Sequence, residues 1–166
     1  MRRSIIPALV LAVICARTAH AETPDEWIRL GARVHGGFGA FIPLGIRIGE
    51  DALNRLKAER RGVSVTFHDG EKAPCACLAD GIALATVATV GQRSLTIAPE
   101  KAPPGTLAVV VVRSKATGEG VRYVVPGAAL PRLGDWNRSL DERGRYDAVM
   151  SADGLFALGP ADEGAN

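Results

Sequence analysis

The sequence has few aromatic residues, few cysteines and no apolar segment long enough to cross a bilayer. Aromatic side chains make up 5% of the 166 residues, so a hydrophobic core has to be built mainly from Ala, Val, Leu and Ile. A membrane-spanning helix needs about 20 consecutive apolar residues, and the longest apolar segment, residues 5–16, is shorter than that. Because no apolar segment is long enough, we expect no stable membrane insertion of the mature chain.

Recognisable catalytic motifs are also lacking. The sequence contains no Gly-x-Ser-x-Gly elbow, no phosphate-binding P-loop and no dinucleotide-binding glycine fingerprint. His68 and Asp69 are adjacent, but neighbouring residues on a strand point to opposite faces, so they do not form an acid–base pair by themselves. We therefore predict no catalytic residue, and the sequence offers no positive argument for an enzyme.

What the N-terminus does contain is the pattern of a cleavable export signal. Arg2 and Arg3 precede the apolar residues 5–16, and Ala19 and Ala21 are the small residues that a signal peptidase requires. The pattern predicts that residues 1–21 are removed, that the mature protein begins at Glu22 and that it resides in the periplasm.

Signal removal changes the charge. The whole chain has 20 basic and 18 acidic residues. The signal contains Arg2, Arg3 and Arg17 but no acidic residue, so 17 basic residues remain against 18 acidic ones. The mature protein then has no net positive field that would attract nucleic acid or anionic lipid, and we expect no nucleic-acid partner.

Two cysteines remain after cleavage, Cys75 and Cys77. An oxidising compartment makes a disulfide between them an alternative to consider, although a bridge across one intervening residue closes a small ring that is usually strained. The spacing favours two free thiols that point in alternate directions on a short extended segment. Metal binding by one or both sulfurs is the other alternative.

Apolar periodicity predicts helices separated by short strands. The first helix should begin at Thr23, which can cap it, and end after His35, with Trp27, Leu30 and Val34 on its apolar face. A second should begin between residues 40 and 43 and stop at Gly62, with Gly45 and Gly49 allowing another backbone to approach. The remaining predicted elements are a short helix at residues 80–85, a helical region at 135–150 interrupted at Gly144, a last turn at 154–158, and strands at 63–67, 94–98, 107–113 and 121–125.

These elements define an α+β domain. We expect N-terminal helices packed on a mostly antiparallel sheet of three to four strands, followed by a C-terminal helix. Residues 22–160 should form a single domain, and the polar residues 161–166 a disordered tail.

Two segments carry a resemblance to a known family. In residues 35–47, His-Gly is followed by an apolar stretch that ends in Leu-Gly-Ile-Arg; residues 77–95 contain Cys-x-x-Asp followed by spaced Thr and Gly residues. Both segments resemble the FmdE-like domain family of formylmethanofuran dehydrogenase, and Leu155-Phe156 is similar to its closing turn. The matching positions are His35, Gly36, Leu44, Gly45, Arg47, Cys77, Asp80, Thr86, Thr89, Gly91 and Leu95.

The resemblance implies a metal-binding, often dimeric α+β domain in which His and Cys ligands converge. Several ligand positions of the family are changed here. Gly37 replaces a second His, Gly39 replaces a Cys, and Ala88 replaces another Cys. Of the family's ligands, His35 and Cys77 remain.

The expected metal site therefore needs additional ligands. His35, Cys77 and either Cys75 or His68 would supply three, which suits zinc or another transition metal such as copper(I). A second hypothesis concerns Gly36, Gly37 and Gly39, which leave room at the head of the second helix for an anionic or cofactor-like ligand. Arg47 would pair there with the ligand or with Asp80.

Three functions remain open. The first is an exported binding or accessory protein for a metal ion or small ligand. The second is a degenerate scaffold or homodimerising partner without a working site. The third is a metal-dependent enzyme that uses His35 and Cys77. The export signal favours the first, because the enzyme complex for which the family is named is cytoplasmic.

Overall fold

The computed structural model describes residues 22–162, which form five helices and five strands. The predicted export signal lies outside the described residues. The helices are α1 (Pro24–His35), α2 (Phe41–Arg55), α3 (Cys77–Thr86), α4 (Ala129–Ser139) and α5 (Glu142–Ser151). The strands are β1 (Val63–Asp69), β2 (Leu95–Ile97), β3 (Thr106–Ser114), β4 (Gly120–Pro126) and β5 (Ala157–Pro160).

Helix α1 begins and ends where its sequence predicts. Thr23 and Glu26 form a reciprocal capping box, in which the Thr23 backbone N–H donates to the Glu26 carboxylate at 2.7 Å. Gly36 ends the helix with a left-handed φ of 87°. The buried face differs from the expected one, because Trp27 and Gly31 are buried whereas Val34 is 57% exposed.

The five strands form one mixed sheet in the order β2-β1-β3-β4-β5. The predicted α+β class is confirmed, and the sheet has one strand more than expected. Three of its neighbouring pairs are antiparallel, but β2 runs parallel to β1. The reason is that α3 lies between β1 and β2 and returns the chain in the same direction, as parallel pairing requires.

One face of the sheet is covered by helices. Val65 of β1 lies opposite Val112 of β3, and Val110 lies opposite Tyr123 of β4. All four side chains are buried in the core. The Tyr123 hydroxyl donates to Asp51 of α2 at 2.7 Å, which shows that this face meets α2.

Helices α2 and α3 pack with their backbones in close contact. A Cβ added at Gly45 would lie 2.9 Å from the Cα of Gly81 and would collide with the carbonyl oxygen of Leu78. At Gly49 it would lie 2.7 Å from the Cβ of Ala85. The prediction that Gly45 and Gly49 admit a second backbone is confirmed, and the contact fixes α3 against the buried α2.

Helix α2 ends at Arg55 rather than at Gly62. Lys57 adopts a left-handed φ of 47°, and the backbone N–H of Ala58 donates to the Leu53 carbonyl at 3.0 Å. This pair of features forms a Schellman turn, which closes a helix usually with glycine but here with lysine. The prediction missed this end because no glycine marks it.

The C-terminal third also departs from the prediction. Helix α4 starts before residue 135, and the break falls at Leu140 and Asp141 rather than at Gly144. Asp141 accepts a hydrogen bond from the Gly144 N–H at 2.7 Å, so Gly144 lies in the capped first turn of α5. The turn expected at residues 154–158 is replaced by β5, whose Pro160 lies opposite Val121 of β4.

The first two residues of the expected tail, Ala161 and Asp162, contact the sheet. Ala161 is buried, and Asp162 forms an ion pair with Arg113 of β3. The absence of a side chain at Gly120 leaves room for Ala161, which would lie 2.7 Å from a Cβ at that position. Among residues 22–162, none of the helices is long and apolar enough to cross a membrane.

Candidate metal centre

Two helix ends meet at the candidate site. His35 lies in the last turn of α1, and Cys77 is the first residue of α3. Cys75 lies in the loop that precedes α3. One ring nitrogen of His35 and the two sulfur atoms all lie within 4.8 Å of one another, so these three residues can hold a metal ion. The structure thus selects Cys75, and not His68, as the residue that joins His35 and Cys77.

The two sulfurs are bonded as a Cys75–Cys77 disulfide, with their Cα atoms 5.3 Å apart. The expectation of free thiols that point in alternate directions is therefore wrong. It assumed an extended segment, but the chain turns into α3 at Ala76 and Cys77. This turn brings both side chains to the same side of the backbone.

Asp80 holds the imidazole ring of His35. Its Oδ2 lies 2.8 Å from His35 Nδ1. Because Asp80 is three residues beyond Cys77 on α3, both side chains project from the same face of that helix. The contact leaves Nε2 as the ring nitrogen available to a metal. A carboxylate that orients a ligating histidine in this way is a regular feature of metal sites.

His68 takes no part in this cluster. It lies on β1, and its Nδ1 is 3.1 Å from the backbone carbonyl of Glu100. The metal-compatible group that includes His35 does not contain it. Its proposed role as a metal ligand came from residue type alone, and the sheet places it elsewhere.

Several of the N–H groups at the head of α2 that the anion hypothesis would use already have partners. The N–H of Ala40 donates to the side-chain oxygen of Asn137 at 2.7 Å. The N–H of Ile42 donates to the carbonyl of Gly39 at 3.0 Å, and Pro43 has no N–H. Gly36 serves as the end of α1. A Cβ at Gly37 would meet open space, so no neighbour encloses a ligand there.

Arg47 is not paired with Asp80. Its guanidinium donates to the carbonyls of Val149, at 2.8 Å, and Ala152, and lies over the ring of Phe156. The predicted Arg47–Asp80 ion pair is wrong, since Asp80 pairs with His35. Arg47 instead joins α2 to the end of α5.

Arg47 is one of five polar side chains, which we call the inner polar cluster, that connect α2 and the segment before it to β4 and the C-terminal helices. Asn137 and Arg145 belong to it and hold the segment before α2, where Arg145 donates to the carbonyl of Phe38 at 3.3 Å. Sequence spacing gave no sign of Asn137 and Arg145, because they lie 97 and 107 residues away from their partners along the chain. The members of the inner polar cluster are Arg47, Asp51, Tyr123, Asn137 and Arg145.

Burial raises the pKa of the Tyr123 hydroxyl far above its ordinary value, and the hydrogen bond to Asp51 raises it further. The hydroxyl therefore stays protonated and donates to the carboxylate of Asp51, which also accepts a hydrogen bond from Arg55 at 2.6 Å. These contacts are structural: they attach α2 to β4.

The candidate centre has two exposed members, whereas the residues of the inner polar cluster are buried or half-buried. His35 and Cys75 are exposed, and Cys77 is buried with 7% of its surface accessible. With the disulfide opened, Cys75 and Cys77 would supply two thiolates beside the His35 imidazole, and such soft and borderline donors suit zinc or copper(I). Three protein ligands leave a fourth position for water or an exchangeable ligand.

These features define a small α+β domain with a candidate sulfur and imidazole metal centre. The chain belongs to the FmdE family, described as FmdE, Molybdenum formylmethanofuran dehydrogenase operon, whose sequence profile matches residues 34–151. The matched segment includes all three candidate ligands and Asp80. A comparison with curated proteins found no matching sequence.

Proposed function

We propose that this protein is an exported accessory protein of the FmdE family that binds a transition-metal ion through His35, Cys75 and Cys77. The observation that supports the proposal is the convergence of their three donor atoms within 4.8 Å. The Asp80 contact adds to it, because an oriented imidazole loses less entropy when it binds a metal. No residue of the centre is proposed as catalytic.

Zinc is the metal that we propose first, and copper(I) is the principal competitor. Both prefer thiolate and imidazole ligands to carboxylates. Zinc–sulfur and zinc–nitrogen bonds of about 2.3 and 2.0 Å place tetrahedral ligands about 3.3–3.8 Å apart. The three donor atoms lie within 4.8 Å of one another, so opening the Cys75–Cys77 bond and separating the two sulfurs would allow that spacing.

The test is metal retention by matched histidine variants. Reduced protein, prepared without oxygen or chelator, is loaded with zinc and desalted, and bound zinc is measured by elemental analysis. We expect His35→Ala to lose the zinc and His68→Ala to retain it. His68 is the matched control because it is the other histidine in the described part of the chain. Retention of zinc by His35→Ala would refute the proposed centre.

Export is the second part of the proposal, and residues 1–21 support it with a charged start, an apolar segment and small residues before Glu22. The full chain carrying a C-terminal tag should appear in the periplasmic fraction, and N-terminal sequencing should begin at Glu22. A cytoplasmic product that still begins at Met1 would contradict it.

A scaffold without a metal is the second candidate function. The disulfide favours it, because bonded sulfurs do not act as thiolate ligands. The homodimer implied by the family resemblance stays a prediction, which light scattering on the purified protein measures. The small anionic ligand at the head of α2 stays a prediction, in which the Ala40 N–H takes no part because it donates to Asn137.

A further inference from the structure

The disulfide and the metal centre compete for the same two sulfur atoms. A metal needs both sulfurs as thiolates about 3.8 Å apart, whereas a disulfide holds them at about 2.05 Å without negative charge. His35 and Asp80 alone offer a poor site for a soft metal. The centre can therefore exist in two exclusive states, closed as a disulfide or open as a dithiol.

The two sulfurs are unequal in access. Cys75 is exposed and lies in the loop before α3, while Cys77 is buried and belongs to the helix. An incoming thiolate can reach Cys75, and the breaking bond then leaves its electron pair on Cys77. Cys77 lies at the N-terminus of α3, where the positive end of the helix dipole favours a negative sulfur.

We propose that Cys75–Cys77 is a thiol–disulfide exchange site that takes a dithiol, and that opening it creates the sulfur ligands of the metal centre. This inference rests on the proposed metal-binding function. The partner is a small or protein dithiol of the kind that exchanges with exposed disulfides.

The exchange has two steps that balance. One thiolate of the dithiol attacks the sulfur of Cys75, a mixed disulfide forms, and the Cys75–Cys77 bond breaks to leave a thiolate on Cys77. The second thiolate of the dithiol then attacks its own partner sulfur and releases Cys75. The dithiol is oxidised to a disulfide, and the chain gains two electrons and, as two thiols, two protons. Metal binding displaces those two protons.

The surrounding fold allows this opening with little rearrangement. Cys77 is held by α3, which the Gly45 contact fixes against α2, and His35 is held by Asp80. Only Cys75 has to move, and it lies in a loop. The separation of the sulfurs therefore takes place at the loop end while two of the ligands stay in position.

The experiment compares closed and open protein. Purified mature protein is treated with dithiothreitol without denaturant, desalted under anaerobic conditions, and free thiols are counted. Zinc binding is then measured on this sample and on an untreated, disulfide-bonded sample by competition with a coloured chelator. We expect two free thiols and stoichiometric zinc in the open sample, and loss of zinc binding in the closed one.

Each alternative result has a distinct meaning. If dithiothreitol opens the bond only after unfolding, the exchange site is refuted. If closed protein binds zinc as tightly as open protein, redox control is refuted while the metal-binding function stands. If the bond opens but neither form binds zinc, the proposed metal function fails, and with it the link between exchange and metal.

Trapping the mixed disulfide tests which sulfur is attacked. Disulfide-bonded protein is treated with reduced glutathione without denaturant, the released thiol is alkylated, and fragment-ion mass spectrometry locates both groups. We expect glutathione on Cys75 and the alkyl group on Cys77. Equal labelling of the two sulfurs, or glutathione mainly on Cys77, would refute the assignment of Cys75.

Discussion

Two regions of the domain contain clustered polar side chains: the candidate metal centre between α1 and α3, and the inner polar cluster on α2, β4 and the C-terminal helices. In the inner polar cluster, Arg47 and Arg145 donate to backbone carbonyls, and Tyr123 donates to Asp51. At the metal centre, the exposed His35 contacts another side chain, Asp80. Polar groups that satisfy the backbone stabilise the fold, whereas the exposed pair leaves ligand positions open.

The comparison predicts that stability depends on the buried contacts and metal affinity on the exposed ones. The largest loss of stability should come from Gly45→Ala, because the new methyl group would collide with the backbone of α3. We expect the free energy of unfolding to fall by about 3 kcal/mol or more. Urea denaturation measures it.

Gly91→Ala is the matched control for this variant. A Cβ at Gly91 meets no atom within 4 Å, and its φ is not left-handed. Its unfolding midpoint should stay near that of the wild type. Equal effects of the two substitutions would show that the α2–α3 contact is looser than described.

Arg47→Met should cause the next largest loss of stability. It leaves the carbonyls of Val149 and Ala152 without their donor and removes the charge over Phe156. Loss of charged hydrogen bonds at partly buried acceptors costs about 2–4 kcal/mol. Zinc binding by the folded fraction should not change. Reduced zinc affinity in this variant would mean that the two regions are coupled.

Asp80→Asn should lower zinc affinity while leaving stability almost unchanged, the reverse of Arg47→Met. The exposed His35–Asp80 hydrogen bond contributes less than about 1 kcal/mol to stability, so the unfolding curve should barely move. Zinc affinity of the reduced protein should fall about 10- to 100-fold, because the imidazole loses its orienting carboxylate. Chelator competition provides the readout, and unchanged affinity would show that Asp80 does not position His35.

Glu50→Gln should have the smallest effect on the free energy of unfolding. Burial raises the pKa of Glu50 above its ordinary value of 4.5; Arg60 opposes the shift and Glu22 adds to it. The folded state therefore holds this proton more tightly than the unfolded state, and stability is lost as pH rises from about 4.5 through the raised pKa. The variant should be more stable than the wild type at pH 7, by less than about 1 kcal/mol, since solvent screens part of the effect. Denaturation at pH 4 should show no gain, and a gain that is equal at both pH values would contradict this cause.

Local signals explain which parts of the fold could be predicted from the sequence. Thr23, Pro24 and Gly36 mark both ends of α1. The alternation of apolar and polar residues from Val63 to Phe67 marks β1. Both patterns depend only on residues close together in the sequence. The end of α2 was missed because Lys57 takes a conformation that usually requires glycine. The parallel pairing of β2 depends on the path of α3, which no local pattern contains.

The candidate site was predictable only in part, for the same reason. His35 and Cys77 were found through the family resemblance, and Cys75 was retained as an alternative to His68. Choosing between them required the turn into α3, which brings the two sulfurs together. Arg47 was placed wrongly because its partners, Val149 and Ala152, lie 102 and 105 residues further along the chain.

The close contact between the backbones at Gly45 and Gly81 means that the position of α3 does not depend on the residues of the candidate metal centre. A metal that holds a small domain together makes every ligand indispensable, but here two backbones in contact keep α3 in place. Ligand positions can then change one at a time without unfolding the chain. By the sequence resemblance, Gly37, Gly39 and Ala88 stand where the family signature has His or Cys, and the proposed centre would take its second sulfur from Cys75 in a loop. Substitutions at the exposed residues of the candidate centre should therefore change which ligand it binds without unfolding the domain.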